Sequence, residues 1–498
     1  MVSSAGTQKQ GRPQLEPGSC PAPTWHVRVP HSLDSAVRSS AKAQGYSLSE
    51  YVRKLVEDSI STKFKTSQAQ HERKGQEDMT DIRQRPFTMV SLFTGAGGLD
   101  VGIETTEQFK LLAAVELEPK FCETLQKNKA NGIFGDQETK VIQADLSTYS
   151  PEQLMAELDI NPGDIDVLVG GPPCQSFSTA GRRKGVNDPR GQLIWSFLRF
   201  VEVLQPKAFL MENVRGLFSA ALKHRPIADR PTNGGEPLTP DEQRGSVFKK
   251  WIDDATKISG GKYRIDSFEV NAVNYGAPQI RERVLVFGNR LEQLTGELTP
   301  THGQHSPGLL PFTTLREALD GLIEENPVVL DFSPRKKHFL SHVPTGGNWR
   351  SLPDEMARES MGRAYYAKGG RSGWWRRLSW DLPSPTITTM PNHSSTSLCH
   401  PEETRVLSVS ECARIQGFPD GWEFVGSAAE QMKQVGNAVP ARLGEVAAEK
   451  LLTILREESP TATADTPRYT NTYVQSHVRT RRWWKDGTAV IHKATATS

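Results

Sequence analysis

A doubly wound α/β sheet is the fold class that this 498-residue chain predicts, and three observations predict it. Short apolar runs rich in β-branched residues recur from Phe87 onward: "FTMVSLF" (87–93), "KLLAAVEL" (110–117), "DVLVGG" (166–171), "PKAFLMENV" (206–214) and "RVLVFGN" (283–289). Amphipathic stretches such as 118–129 and 191–205 lie between them, the alternation expected of strands joined by crossover helices. The first run also ends in a glycine-rich turn, where sheets of this class place a ligand loop.

Composition narrows the field. The chain is 36% hydrophobic and 24% charged, a globular balance with room for two or three domains of roughly 100–200 residues. No apolar run approaches the ~20 residues of a membrane span, and the N-terminus lacks an apolar signal core. The cytoplasm is therefore the expected location, without a membrane partner. The five cysteines, Cys20, Cys122, Cys174, Cys399 and Cys412, are scattered and form no C-x-x-C pair. That argues against a disulfide framework and against a metal site, and it leaves a reduced thiol at Cys174. A net charge of +2 means that any nucleic-acid affinity must come from local basic patches.

In chain order, residues 1–23 are rich in Gly, Pro, Ser and Gln and read as disordered. Residues 24–60 are strongly patterned. Trp25, Val27 and Val29 alternate with His26 and Arg28, the period of a half-buried strand. Leu33, Val37 and Ala41 follow at helical spacing, Gly45 breaks that helix, and Ser47 with Glu50 makes a capping box for a second. So short a strand and helix pair cannot bury a core alone. The segment resembles the ribbon-helix-helix DNA-binding fold, in which two chains pair their strands and lay the ribbon in the major groove. That resemblance implies a homodimer in which Thr24, His26 and Arg28 face DNA. An ordinary βαα adaptor, or a dimerisation element without DNA contact, fits the same pattern. Residues 61–86 are polar and read as a linker.

The body begins at 87 and its strand–helix alternation runs to about 290, a catalytic domain. Within it, "VSLFTGAGGLD" sets Gly95, Gly97 and Gly98 after the first strand, where backbone must approach a ligand closely. The order is not the G-x-G-x-x-G of dinucleotide binders. Glu116 ends the second strand, placed to accept ribose hydroxyls, and Asp145 in "IQADL" ends a third, placed to accept from an adenine amino group. A glycine turn followed by two such carboxylates suits a nucleoside without a pyrophosphate, and S-adenosylmethionine fits better than a nicotinamide dinucleotide.

Cys174 follows Pro172-Pro173, which hold the chain extended as it leaves the fourth strand. The thiol is thereby delivered to the carboxyl edge of the sheet, and a tuned thiolate is a strong nucleophile. The loop behind it carries Arg182, Arg183 and Lys184, a basic stretch suited to a phosphate backbone. "MENV" brings Glu212 to the same edge. "QIRER" sets Gln279, Arg281 and Arg283 two apart, on one face of a strand. Each feature alone has a plain structural explanation: a buried small hydrophobe, a cap, an exposed edge.

Together, "FTGAGG", "PPCQSFS", "ENV" and "QIRER", then "RLSWDLPSPTITT" and "QVGNAVP", resemble the cytosine-C5 DNA methyltransferase family in the family's own motif order, over about 88–454. The resemblance implies a Rossmann-like, S-adenosylmethionine-dependent catalytic sheet of the restriction-modification type. It implies that Cys174 attacks C6 of a flipped-out cytosine, that Glu212 holds or protonates N3, and that Arg283 binds O2. Asn213 would support the loop, and Gln279 and Arg281 would brace the site. Phe93, Glu116, Asp145, Leu146, Pro172, Leu193 and Asn437 match cofactor-contacting positions, with Gly95, Gly97 and Gly98. Ser91, Leu117 and Ala180 depart from residues found in some relatives, an acid, an adenine-stacking aromatic and a polar gap-filler respectively.

Residues 291–376 then correspond to a target-recognition domain, with Arg335, Lys336, Arg350 and Arg376 as candidate contacts to double-stranded DNA. Residues 377–456 complete the catalytic domain, and 457–498 read as a basic flexible tail. The implied partners are duplex DNA and a cognate restriction endonuclease. An RNA cytosine methyltransferase, or a transcriptional regulator built on such a body, remains as an alternative. The N-terminal segment adds the expectation of operator binding and autoregulation.

Overall fold

The computed structural model describes residues 85–173, 192–303, 308–366 and 373–473. The N-terminal segment with Thr24, His26 and Arg28 lies outside the described residues, as does the stretch carrying Cys174, Arg182, Arg183 and Lys184.

The expected alternation is realised. Strands β1 (Phe87–Leu92), β2 (Phe109–Glu116), β3 (Lys140–Gln143), β4 (Val167–Gly170), β5 (Ala208–Val214) and β6 (Arg264–Asn271) join β8 (Glu282–Asn289) and β10 (Tyr469–Tyr473) in one sheet. The order is β10-β6-β8-β5-β4-β1-β2-β3. β7 (Gln279–Ile280) pairs separately with β9 (Ser384–Pro385). β1 lies parallel between β2 and β4, and β8 is antiparallel between β5 and β6. The chain winds outward from β1 in both directions, so the carboxyl ends of β1 and β4 flank the topological switch point, where such sheets bind ligands.

Alternate residues supply the two faces. Met89, Leu111, Val169, Leu210 and Leu285 pack against α1 (Gly98–Glu104) and the C-terminal helix, here α12 (Ala441–Leu455). Val90, Val115, Leu168, Met211 and Val284 pack against α4 (Leu193–Leu204) and α5 (Ser246–Ala255). Between α1 and α4 in the chain come α2 (Pro119–Ala130) and α3 (Pro151–Leu158). Gly102 and Gly444 let α1 and α12 touch: a Cβ on Gly102 would lie 1.9 Å from the Ala441 carbonyl oxygen. A segment more than 300 residues downstream thus completes the layer beside the glycine loop.

The second lobe contains α6 (Leu315–Leu319), α7 (Pro334–Ser341), α8 (Asp354–Met361) and α9 (Arg363–Tyr366). Its core joins Phe332, Phe339, Leu340 and Trp375 to Cys399 and Val406. The lobe therefore runs past residue 376, where the sequence reading ended it, because bridges Arg377–Cys399 and Cys399–Val406 fold the next thirty residues back onto it. α10 (Val409–Gln416) and α11 (Ala428–Asn437) then lead to α12, each opened by a Ser–Glu capping box.

Two further expectations are corrected. The segment after 457 is not wholly tail: Tyr469–Tyr473 is an edge strand parallel to β6, its two Tyr and two Thr suiting a pleated edge. And "QIRER" is not one strand, since Arg281 separates β7 from β8. No helix among the described residues is long and apolar enough to cross a membrane.

Candidate active site

Phe93 leaves β1 with φ 54°, a conformation that a bulky side chain holds only where the surroundings enforce it. The Gly95 N–H donates to Glu116 Oε2 at 2.7 Å, and the Glu118 N–H donates to Oε1 at 2.9 Å. Glu116 is buried at the end of β2 and braces the glycine loop. Burial pushes its carboxyl upward while these N–H groups pull it down. A methyl on Gly95 would enter open space, whereas one on Gly98 would meet the Val439 carbonyl oxygen at 2.4 Å and one on Gly97 the Leu125 side chain at 3.1 Å. Only the first of the three glycines borders the crevice. The other two serve packing.

Asp145 is exposed at the end of β3, its Oδ1 accepting from the Ser147 N–H at 2.9 Å, and Leu146 beside it is buried. Leu117 is 54% exposed at the end of β2. Leu193 opens α4 and Asn437 closes α11, the former part-buried and the latter exposed. An open glycine, two carboxylates at strand ends and apolar Phe93 and Leu117 fit the polar edge and flat faces of a nucleoside.

The catalytic candidates converge at the neighbouring strand ends. β5 and β8 pair with Val214 opposite Arg283, so Glu212 and Arg283 share a face. Arg283 Nε lies 2.6 Å from Glu212 Oε1, both side chains nearly buried; this is an ion pair without the alignment of a hydrogen bond, and among the described residues Oε1 has no hydrogen-bond partner. Arg283 Nη1 donates to the Glu282 carbonyl at 2.8 Å. Burial pushes the Glu212 carboxyl up, Arg283 and then Arg281 opposing. A Cβ on Gly171 would sit 3.3 Å from Glu212 Oε2, which puts this carboxylate beside the exit of β4, three residues before Cys174. Asn213 Nδ2 donates to the buried Pro172 carbonyl at 3.1 Å, tying that exit to β5.

Gln279 and Arg281 stand behind this pair. Arg281 is buried and donates to the carbonyls of Ile387 (2.8 Å), Gly436 (3.0 Å) and Ala438 (2.8 Å). Gln279 donates to Gln416 Oε1 at 2.6 Å and to the Ile415 carbonyl at 3.2 Å. Gln416, which the sequence reading missed, donates in turn to Val435 and Ala438; nothing in "RIQGF" marks it, since its role depends on a turn twenty residues on. Arg281→Ala is expected to lower stability by roughly 3 kcal/mol, because it takes the guanidinium from the buried carbonyls of Ile387 and Gly436 and leaves Ala438 with Gln416 alone. Arg281→Lys should recover little of that, lacking the planar fork. Urea unfolding checks this, and a wild-type midpoint for the alanine variant would refute it.

In the second lobe Arg335 and Arg350 are exposed, stacked over Phe339 at 5.2 Å and over Trp349 at 4.5 Å. Lys336 donates to the Asn392 carbonyl at 2.7 Å. Arg376 is corrected: it is buried, donates to the Ser397 carbonyl at 3.2 Å, and burial pushes its guanidinium down to about 10. It serves the lobe's interior.

The model of the C-5 cytosine-specific DNA methylase family matches residues 87–453. Type II methyltransferase M.Sau96I of Staphylococcus aureus is 34% identical over 384 residues, 76% of this chain and 79% of that one. Type II methyltransferase M.Eco47II of Escherichia coli is 36% identical over 385 residues, 76% of this chain and 82% of that one. Among solved structures, a prophage-encoded E. coli protein described as a DNA modification methyltransferase shares the fold with a TM-score of 0.50 at 24% identity, covering 74% of this chain and 99% of that one.

Proposed function

The chain belongs to the C-5 cytosine-specific DNA methylase family, as a DNA cytosine-5-methyltransferase, and we propose that it methylates cytosine within one short duplex site. The observation that carries this reading is the Glu212–Arg283 pair beside Gly171, at the strand exit that leads to Cys174. S-adenosylmethionine, when bound, supplies the electrophilic methyl group. Gly95, Glu116, Asp145, Phe93 and Leu117 would hold it, with Leu146, Pro172, Leu193 and Asn437 around them.

Cys174 Sγ forms a bond to cytosine C6, and the electron pair this frees makes C5 nucleophilic. Glu212 and Arg283 stabilise the charge that develops at N3 and O2. After transfer, loss of the C5 proton and expulsion of the thiolate restore the ring. A stacked cytosine cannot present C6 to a thiol, so the base is extruded from the duplex. Arg335 and Arg350, stiffened by their aromatic neighbours, are the candidates for groove contacts, with Lys336 near them. The pattern of residues 24–60 supports an added dimerising, DNA-contacting module that binds an operator. The likeness to type II methyltransferases supports pairing with a restriction endonuclease.

Bisulfite sequencing of a host genome expressing the chain tests this reading. One short motif should resist conversion at nearly every copy, and only when the chain is expressed. A genome without new marks would move attention to RNA.

A further inference from the structure

Glu212 and Arg283 sit on one face of the sheet, and the opposite face at the same edge holds a second charged group. Directly opposed residues share a face, and successive ones alternate. Val270 and Val214 both oppose Arg283, whereas Asn271 opposes Glu282 and Glu269 opposes Val284. Glu269 and Glu282 therefore lie behind the catalytic pair. Arg215, the first residue after β5, opens a short 3-10 turn (Arg215–Ser219) and turns back over them. Its Nε lies 2.5 Å from Glu269 Oε1 and its Nη1 3.3 Å from Glu282 Oε2.

We propose that Arg215 is a positioning residue that clamps the ends of β5, β6 and β8 and so sets the placement of Arg283 against Glu212. The path is short and continuous. Arg215 holds the Glu282 side chain, the Glu282 carbonyl accepts from Arg283 Nη1, and Arg283 Nε meets Glu212. Without the arginine, two carboxylates stand diagonally on one face of adjacent strands; burial and the neighbouring Glu282 both push the Glu269 carboxyl up, and Arg215 is what opposes them. Like charges on neighbouring strands repel, and that repulsion acts at the strand end where Arg283 begins. A displacement of even a fraction of an ångström there is costly for chemistry. The inference rests on the reading of Glu212 and Arg283 as the ring-stabilising pair.

Steady-state methylation of duplex DNA by the full-length chain tests it. Arg215→Ala should lower kcat about tenfold with the DNA KM within about twofold. Arg215→Lys should recover most of the loss, because an ammonium still separates the two carboxylates. Glu269→Gln should give a similar fall in kcat, and the double variant should lose no more than either single one. A wild-type kcat in Arg215→Ala overturns the clamp. So does a raised DNA KM in Arg215→Ala that Glu269→Gln does not share, since that marks a phosphate contact. So does loss of S-adenosylmethionine binding in proportion to activity, since that marks general unfolding. Glu212→Gln assayed alongside keeps the two readings apart: a wild-type rate there removes the underlying assignment, whatever Arg215→Ala does.

Discussion

Cys174→Ala is expected to lower methyl transfer by on the order of 10⁴-fold or more while DNA affinity stays within about threefold. The size of the effect follows from the chemistry. Cytosine C5 is not nucleophilic until a group adds at C6, and a methyl side chain supplies no electron pair. No other thiol among the described residues can take over. Cys122, Cys399 and Cys412 are all buried; burial pushes Cys122 up to about 12 and Cys399 up to about 11, and Cys412 well above its ordinary value. Such thiols stay protonated and inert at neutral pH. Radiolabelled methyl incorporation measures the rate, and gel shift measures binding. A covalent trap adds a direct readout. Duplex carrying 5-fluorocytosine at the target should remain attached to the wild type, because fluorine cannot leave C5 as a proton does, and should not attach to the variant. Residual methylation within tenfold of wild type would sink the assignment.

Much of this site is legible in the sequence, and particular residues show why the rest is not. Glu116 and Asp145 could be placed because each ends an apolar run, and a strand's end is a geometric fact that the sequence displays. What each carboxylate touches was not displayed: Glu116 spends both oxygens on backbone N–H groups of the loop it borders. β6 was missed because "RIDSFEVN" reads as polar, yet it is buried throughout. Its charges find partners that the local text does not display: Asp266 pairs with Arg264 in the same strand and accepts from the distant Thr295 and Thr470 hydroxyls, and Glu269 pairs with Arg215. β10 was missed for the matching reason, its ladder partner lying some two hundred residues upstream. Arg376 misled in the opposite sense. "WWRR" looks like a basic surface, but both arginines turn inward, Arg377 donating to the carbonyls of Leu340, Val343, His400 and Glu403. An arginine stem is long enough to cross a small lobe and tie its loops, and composition cannot distinguish that use from phosphate binding.

Glu212→Gln should lower kcat by about 10²–10³-fold with little change in the DNA KM, and its pH profile identifies what the carboxyl does. Glutamine keeps a donor for cytosine N3, so ground-state recognition survives; it cannot deliver a proton as charge builds on the ring. Burial raises the Glu212 carboxyl in the folded chain, with Arg283 and Arg281 opposing. A raised carboxyl keeps its proton to higher pH than an exposed glutamate would. A step that needs the protonated form is therefore fully supplied below that raised value and is lost as pH rises through it. The nucleophile acts in the other direction, since more thiolate forms as pH rises. Wild-type kcat should accordingly rise and then fall with pH, and the falling limb should vanish in Glu212→Gln while the rising limb remains. Other acids titrate in the folded chain as well. Asp100, buried, and Glu104, part-buried, both in α1, are raised to about 6 and about 7 by burial, so stability falls as pH rises from the ordinary carboxylate range to about 7. That loss acts on folded enzyme in both proteins alike, and it leaves a falling limb in the variant if stability is the cause. A surviving limb in Glu212→Gln therefore assigns the decline to the fold, and its disappearance assigns it to proton delivery at N3.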